Sequence, residues 1–530
     1  MLYSQRAVFI LMKTDKRYNY IFPAIFALGL FARVWRFGAV PGGLNQDEAF
    51  AAYESWALLH YGVDSSLRSW PVYLTAWGSG MNALESYLML PFLALFGGKV
   101  WVIRLPQLLV ALGSIYAARC LGRRIRDERT GLCFAFALAL CPWHILLSRW
   151  GLESNLAPGF LLFGLCLFLR GLEDGRFLLL SALCYGLALY AYSAIWPVMP
   201  FLLGLMLLTA RPRADRFLLG AGLILMALAL PLICFLAVNY GWIGEFAIGP
   251  FSVPRLVEMR ADEISLRQIP VNAAYLVTLL FGGGDGLLWN TPGRFGLFYP
   301  FGLPLSLVGA ALLLWRTVRA LRGRRFDPAV LLLLQILAGL ALGLMIAVNA
   351  NRANILLLPL ALCAGLALDA VSRLPRVWGK AAAAILCALW LVFFGLFERF
   401  YFTEYRDALR GEFTFGVEDA LDEALSHEGT VYLTKALHYP KLLLLAEIPP
   451  RDFAESVEYE RWPAPYLSAR SFLRFRFYED KDMPLDPKGV YVLWAGTPTE
   501  VYERFGFTVE HIGVFQVLWR DEDVLGAGAS

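Results

Sequence analysis

The chain has 530 residues, 58% of them hydrophobic and 17% charged, with a mean hydropathy of +0.56. Soluble globular proteins contain about 45–50% apolar and about 25% charged residues, so the composition excludes that class and points to a polytopic helical membrane protein. The net charge of +4 is small, and nucleic acid is not among the expected partners.

The N-terminal stretch is basic (Arg6, Lys13, Lys16, Arg17). The apolar run after it has no small-residue cleavage site, so it reads as a retained first span and not as a signal peptide. Runs long enough to cross a hydrocarbon core of about 30 Å lie at 19–38, 100–119, 130–148, 155–170, 176–193, 195–210, 216–238, 297–315, 328–348, 354–371 and 380–398. That predicts about eleven spans. With the N-terminus inside, the Lys/Arg-rich segments 119–129, 170–176, 211–216, 316–325 and 373–380 all fall on the cytoplasmic side. Residues 39–99, 239–296 and everything after about 400 then lie outside.

Within 39–99, apolar positions Ala49, Tyr53, Trp56 and Leu59 recur at helical spacing, which predicts a helix over 46–61 lying on the membrane surface. A second such element is predicted over 82–96, broken at Pro91. Trp56, Trp70, Trp77 and Trp101 supply interfacial aromatics. Residues 401–530 change character, with 13 Lys/Arg against 23 Asp/Glu. Short β-like runs at 430–434, 489–494 and 507–519 and a helix over 416–427 predict a small soluble α/β domain. The expected domains are therefore 1–400, in the membrane, and 401–530, outside it. All eight cysteines lie in or beside apolar runs, with neither metal-binding spacing nor a disulfide framework.

The candidate chemistry starts at Asp47-Glu48, just beyond the first span. The dipeptide recurs at Asp127, Asp262, Asp422 and Asp521, so only its address singles this copy out. Asn45 and Glu48 fit an N-terminal capping pattern, with Asp47 in the first helical turn. Asp47 is also placed to act as a general base towards a hydroxyl. Arg149 and Glu153, four residues apart, either pair along a helix or line a polar pocket. His144, nearby, reads as a hydrogen-bonded interfacial residue before a catalyst. Further outer candidates are Glu85, Arg104, Asp285, Arg294 and Arg352, the last directly before an apolar helix where a guanidinium could hold a lipid phosphate. The glycine-rich 282–286 lacks the Gly-Lys-Ser/Thr of a phosphate loop and reads as flexible backbone. Ionisable residues are almost absent from the middles of the spans, which counts against an ion-coupled pump.

Taken in order, Asp47-Glu48, the surface helices, Phe96-Gly97 with Arg104-Leu-Pro106, Pro142 with Ser148-Arg149 and Glu153, and Arg352 through Pro359 resemble a GT-C glycosyltransferase. The closest likeness is to the family of protein O-mannosyltransferases and bacterial aminoarabinose (lipid A) transferases, over roughly residues 20–400. The family often has an aromatic after its last basic residue, where this chain reads Arg352-Ala-Asn-Ile. The resemblance implies a mainly α, polytopic GT-C fold, N-in and C-out, with outer juxtamembrane helices and the small C-terminal α/β domain. It implies an inverting transfer from a polyprenyl-phosphate-linked sugar to a lipid, glycan or protein acceptor at the outer face of a bacterial or archaeal cell membrane. Asp47 would be the base, and Glu48, Glu85, Arg104, Arg149, Glu153, Arg294 and Arg352 would bind substrate. Related oligosaccharyltransferases use a divalent metal, but the acidic residues here are scattered and no metal is expected. The competing readings are a flippase or transporter of lipid-linked sugars and a non-catalytic membrane scaffold.

Overall fold

The computed structural model describes residues 20–259 and 266–520. The basic N-terminal residues, Asp262-Glu263 and Asp521-Glu522 lie outside the described residues. Each of the eleven predicted runs contains a helix. The third is split into Glu128–Ala139 and Pro142–Leu147, the second piece opening on a proline whose missing N–H costs nothing at a helix start. Six helices are long and apolar enough to cross a membrane: Leu105–Ile125, Glu153–Gly171, Arg216–Asn239, Gly302–Arg322, Asn354–Ser372 and the continuous stretch Val377–Ala408. Shorter apolar helices accompany them, among them Ile21–Val34, Arg176–Ala191 and Ala329–Met345. One of these, Ile269–Phe281, was not predicted; its 13 residues extend only about 20 Å, too short to give a span-length signal.

The helix Leu105–Ile125 fixes the polarity of the bundle. Arg104, just before it, pairs with Glu48. At the far end, some 30 Å away at 1.5 Å per residue, the carbonyl of Ile125 accepts a hydrogen bond from Arg316 at 3.0 Å. Around that far end Arg373 pairs with Asp127 at 2.7 Å and with Asp369 at 2.9 Å. Arg124 meets Glu173, and Arg316 meets Asp327, each at 2.8 Å. Four of the basic segments thus gather at one end of the bundle, opposite Asp47-Glu48.

The Asp47 end is built by residues 39–103 together with the C-terminal unit. A hairpin, β1 (Phe246–Ile248) and β2 (Phe251–Val253), stands apart from a seven-stranded mixed sheet. The sheet contains β3 (Val431–Thr434), β4 (Glu458–Tyr459), β5 (Ala469–Phe472), β6 (Phe475–Tyr478), β7 (Val490–Trp494), β8 (Thr508–Ile512) and β9 (Phe515–Trp519). Their spatial order is β4-β5-β6-β3-β7-β9-β8, with β3 parallel to β6 and β7 and the other neighbours antiparallel. The helix Val417–Ser426 buries Val417, Ala420, Leu421 and Ala424, an i, i+3, i+4, i+7 stripe. The helical chain entering this unit runs unbroken through residue 400, passing a wider turn at Tyr401–Tyr405.

Two expectations for residues 39–99 are corrected. The helix Gln46–Tyr61 has the predicted limits but is enclosed by other chain segments on nearly all sides. Its residues Glu48 to Ser55, with Ala57 and Leu58, are buried. Phe50, Tyr53 and Leu58 share one hydrophobic core with Leu442, Leu443 and Phe453, and the Tyr53 hydroxyl donates to the carbonyl of Ile448 at 2.8 Å. Ala49, Ala51, Ala52 and Ala57 let other chain segments approach sides of the helix that carry no large apolar residue. The second element, Leu84–Phe96, contains Pro91 without a break.

Candidate functional site

The site is organised from Asn45. Its side chain accepts from the N–H of Asp47 at 3.0 Å, and its own N–H donates to Glu48 at 3.3 Å, completing a capping box. Glu48 is fully buried. It accepts from Arg104 Nε at 2.6 Å, from Arg104 Nη2 at 2.9 Å and from the Gly151 N–H at 2.8 Å. The remaining Arg104 donors reach the carbonyls of Pro41 at 2.7 Å and Gly43 at 2.8 Å. A Cβ on Gly151 would stand 2.8 Å from a Glu85 oxygen and 3.2 Å from Glu48 Cγ, so only glycine lets this backbone come so close. Glu85, also buried, accepts from Gln107 at 3.2 Å. Together these contacts fix the helix start and leave Asp47, one residue before Glu48, half-buried.

Asp47 lies where two cavities adjoin. The first, about 570 Å³, is lined by Asn45, Asp47, Trp150, Asn349, Asn351, Glu412, His438, Lys441 and Trp494 among others. The second, about 550 Å³, is lined by Asp47, Glu153, Arg352 and an aromatic wall of Tyr73, Tyr192, Trp196, Phe235 and Tyr240. Leu152, Asn349 and Asn351 also border both. Asp285 holds that border in place: it accepts from the Ala350 N–H and from Asn290, each at 2.8 Å. The glycine-rich segment is thereby tied down and is not free backbone.

The predicted residues fall into two groups. Asp47, Glu153 and Arg352 line the cavities. Glu153 accepts from the Asn82 N–H, and Arg352 donates its N–H to Asn349 at 2.9 Å and its guanidinium to the Ala347 carbonyl at 3.2 Å. Glu48, Glu85, Arg104, Arg149 and Arg294 line neither cavity. Arg149 is buried among the carbonyls of Ala32, Trp35 and Val40 and the Tyr401 hydroxyl. It does not pair with Glu153, because the helix ends at Leu147 and restarts at Glu153. Arg294 is exposed, 3.5 Å from Glu404. His144 Nδ1 accepts from the buried Arg33 guanidinium at 2.7 Å, as expected of a hydrogen-bonded residue. Among the described residues no group of three or more His, Cys, Asp or Glu side chains is placed to hold a metal. Glu48 and Glu85 are committed to Arg104 and Gln107, and no step is routed through a metal.

The sequence reading missed what the C-terminal unit contributes. Lys441 and His438 come from the helix Tyr439–Leu445 and the residue before it. The Lys441 side chain is buried and makes no hydrogen bond or ion pair among the described residues. Burial pushes its ammonium down to about 7, against the pull of Asp47, Glu48 and Glu412. Burial, then Lys441, holds the His438 imidazole down to about 4. The only textual signal was a lone charge opening the run Lys441-Leu-Leu-Leu-Leu445.

A depressed lysine has a measurable consequence. An unfolded lysine titrates near 10.4, so between about 7 and about 10.4 the unfolded chain binds more protons and stability rises with pH. Below about 7 the cost of burying the charge is complete. Lys441→Met is expected to melt above the wild type at pH 6, with the gap closing by pH 9.5. Parallel melting curves at the two pH values would refute this.

Comparison with known proteins places this geometry in context. A family model described as dolichyl-phosphate-mannose-protein mannosyltransferase matches residues 83–238, under half of the chain. No curated protein sequence matches the chain significantly. The crystal structure of ArnT from Cupriavidus metallidurans in the apo state superposes with a TM-score of 0.55 at 14% identity, covering 95% of this chain and 98% of that one. The same protein bound to undecaprenyl phosphate gives 0.55 at 15%, covering 96% and 99%. The oligosaccharyltransferase AglB from Archaeoglobus fulgidus, in complex with an inhibitory peptide and a dolichol-phosphate, gives 0.50 at 12%, covering 81% of this chain and 63% of that one. These proteins are GT-C glycosyltransferases, and the present chain is an integral membrane protein with the GT-C glycosyltransferase fold.

Proposed function

We propose that the protein transfers a sugar from a polyprenyl-phosphate donor to an acceptor hydroxyl, with inversion, at the extracytoplasmic face of a bacterial or archaeal cell membrane. The observation that carries this reading is the position of Asp47 where two dissimilar cavities meet. The cavity with the aromatic wall and Arg352 suits a lipid phosphate and its sugar. The polar cavity, walled by the C-terminal unit, suits the acceptor. In this arrangement the acceptor oxygen attacks the anomeric carbon as Asp47 takes its proton. The bond between that carbon and the phosphate oxygen breaks, and the electron pair leaves with the polyprenyl phosphate. A phosphate is already a good leaving group, so one carboxylate suffices, unlike the two of most glycoside hydrolases. Arg352 offsets the charge that develops on the phosphate.

The likeness to ArnT bound to undecaprenyl phosphate and to AglB with a dolichol-phosphate supports the donor class. The reading takes the helices up to about residue 400 as eleven spans, N-in, and residues 401–530 as an extracytoplasmic unit that closes the site. Transfer from polyprenyl-phosphate sugars by the purified protein in detergent tests it. A charge-assisted hydrogen bond contributes about 1.5–3 kcal/mol, so Arg352→Gln should raise the KM for donor by about 10- to 100-fold. An unchanged donor KM would remove Arg352 from the site.

A further inference from the structure

A third cavity, about 460 Å³, lies between residues 65–78, the 245–257 segment and the C-terminal unit. It adjoins the aromatic-walled cavity through Leu256, which lines both. On its other side the helix Tyr439–Leu445 separates it from the Asp47 cavity, Tyr439 facing one and Lys441 the other. Its lining combines aromatic rings (Trp77, Tyr439, Tyr459, Trp462) with Ser66, Arg68 and Arg255. Volumes of about 300–1,000 Å³ with a largely apolar lining and a few polar groups are typical of small-ligand sites.

Trp77 is the informative residue. It is 5% exposed, and its indole N–H has no hydrogen-bond partner among the described residues. A buried donor left unpaired is unfavourable, because it has lost its water without gaining a partner. Its backbone also sits at φ +59°, a left-handed conformation that is uncommon for a bulky residue and strained. The strain is held by the paired Leu74 and Met81, which exchange hydrogen bonds at 3.0 Å, and by the Leu467 N–H on the Trp77 carbonyl at 2.9 Å. The ring itself is stacked on Tyr466, with centroids 4.5 Å apart. At the rim Trp462 is 62% exposed and stacks on Tyr459 at 5.5 Å.

Flat aromatic faces, one open to solvent, beside an unsatisfied buried donor and scattered hydroxyls match the surface of a neutral sugar, whose apolar C–H face and hydroxyl edge need both. The geometry points to this cavity as a saccharide-binding subsite, taking neutral sugar residues of a chain longer than one unit. Binding here does not depend on the transfer proposed above. That the bound saccharide is the acceptor of that transfer does rest on it.

The test is saturation-transfer NMR on the full chain in lipid nanodiscs free of maltoside detergent. The probes are a panel of neutral linear tetrasaccharides of α- and β-linked glucose and mannose, at about 1 mM, where binding of about −4 kcal/mol is visible. At least one should receive saturation, and both Trp462→Ala and Trp77→Phe should weaken its binding about tenfold or more. Asp47→Asn should leave it intact. Trp462, being at the rim, can be replaced without threatening the fold; Trp77→Phe keeps the ring and removes the N–H. A panel that gives no signal, or a signal that survives both substitutions, overturns the assignment. If saccharide binds as expected but no transfer occurs, the subsite stands and the transferase reading falls.

Discussion

Asp47→Asn is expected to lower transfer by roughly 10²- to 10⁴-fold, the usual contribution of a positioned general base. The substitution preserves size and the helix start, because capping is done by the Asn45 side chain and by Glu48. Asparagine cannot take up the acceptor proton, so the loss should appear in kcat while the melting temperature stays put. Asp47→Glu should recover little, since an extra methylene moves the carboxylate within a site bounded by Leu152 and Asn351. The measurement is transfer from a polyprenyl-phosphate sugar by folded, purified variants. Wild-type rates in the folded Asn variant would remove Asp47 from catalysis and return the scaffold and transporter readings to the front.

Breaking the neighbouring pair should have a different signature. Glu48 and Arg104 are both fully excluded from solvent, and leaving one charge buried without its partner costs about 3–5 kcal/mol. That is a large share of the 5–15 kcal/mol typical of a folded domain. Glu48→Gln and Arg104→Met should each lower the melting temperature sharply and reduce the yield of folded protein. The double variant should recover part of the loss, because a neutral pair leaves no orphan charge and contacting residues couple by about 0.5–3 kcal/mol. If Arg104 instead served the donor phosphate, Arg104→Met would fold normally and raise only the donor KM. Normal melting of both single variants would overturn the structural role assigned to the pair.

These two variants separate residues that stand side by side in the text. Asp47 and Glu48 are adjacent acidic residues, yet one faces the cavities and the other turns into the protein. The capping pattern of Asn45 and Glu48 was legible, because it depends on a three-residue spacing within one helix turn. The fate of Arg104 was not. Its partner lies 56 positions earlier, and no local pattern records such a pairing. Arg149 shows the same limit: its spacing from Glu153 fitted a helical ion pair, but a break at Ser148 to Leu152 sends it to the carbonyls of Ala32 and Val40.

The sequence by itself determined the helical membrane class, the positions of eleven helical runs, the capped start at Asn45 and the runs that hold β3, β7, β8 and β9, but not β4, β5 or β6. Each is written in local composition, because apolar length, period and turn residues act over a few neighbours. Only the tertiary structure decided that Gln46–Tyr61 is buried on nearly all sides, that Lys441 shares a cavity with Asp47, and that Trp77 is held with an unpaired N–H. Those outcomes depend on contacts between segments hundreds of residues apart, as between Tyr53 and Ile448. Burial against a distant partner leaves no periodic trace in either segment, so it appears only when the chain is folded.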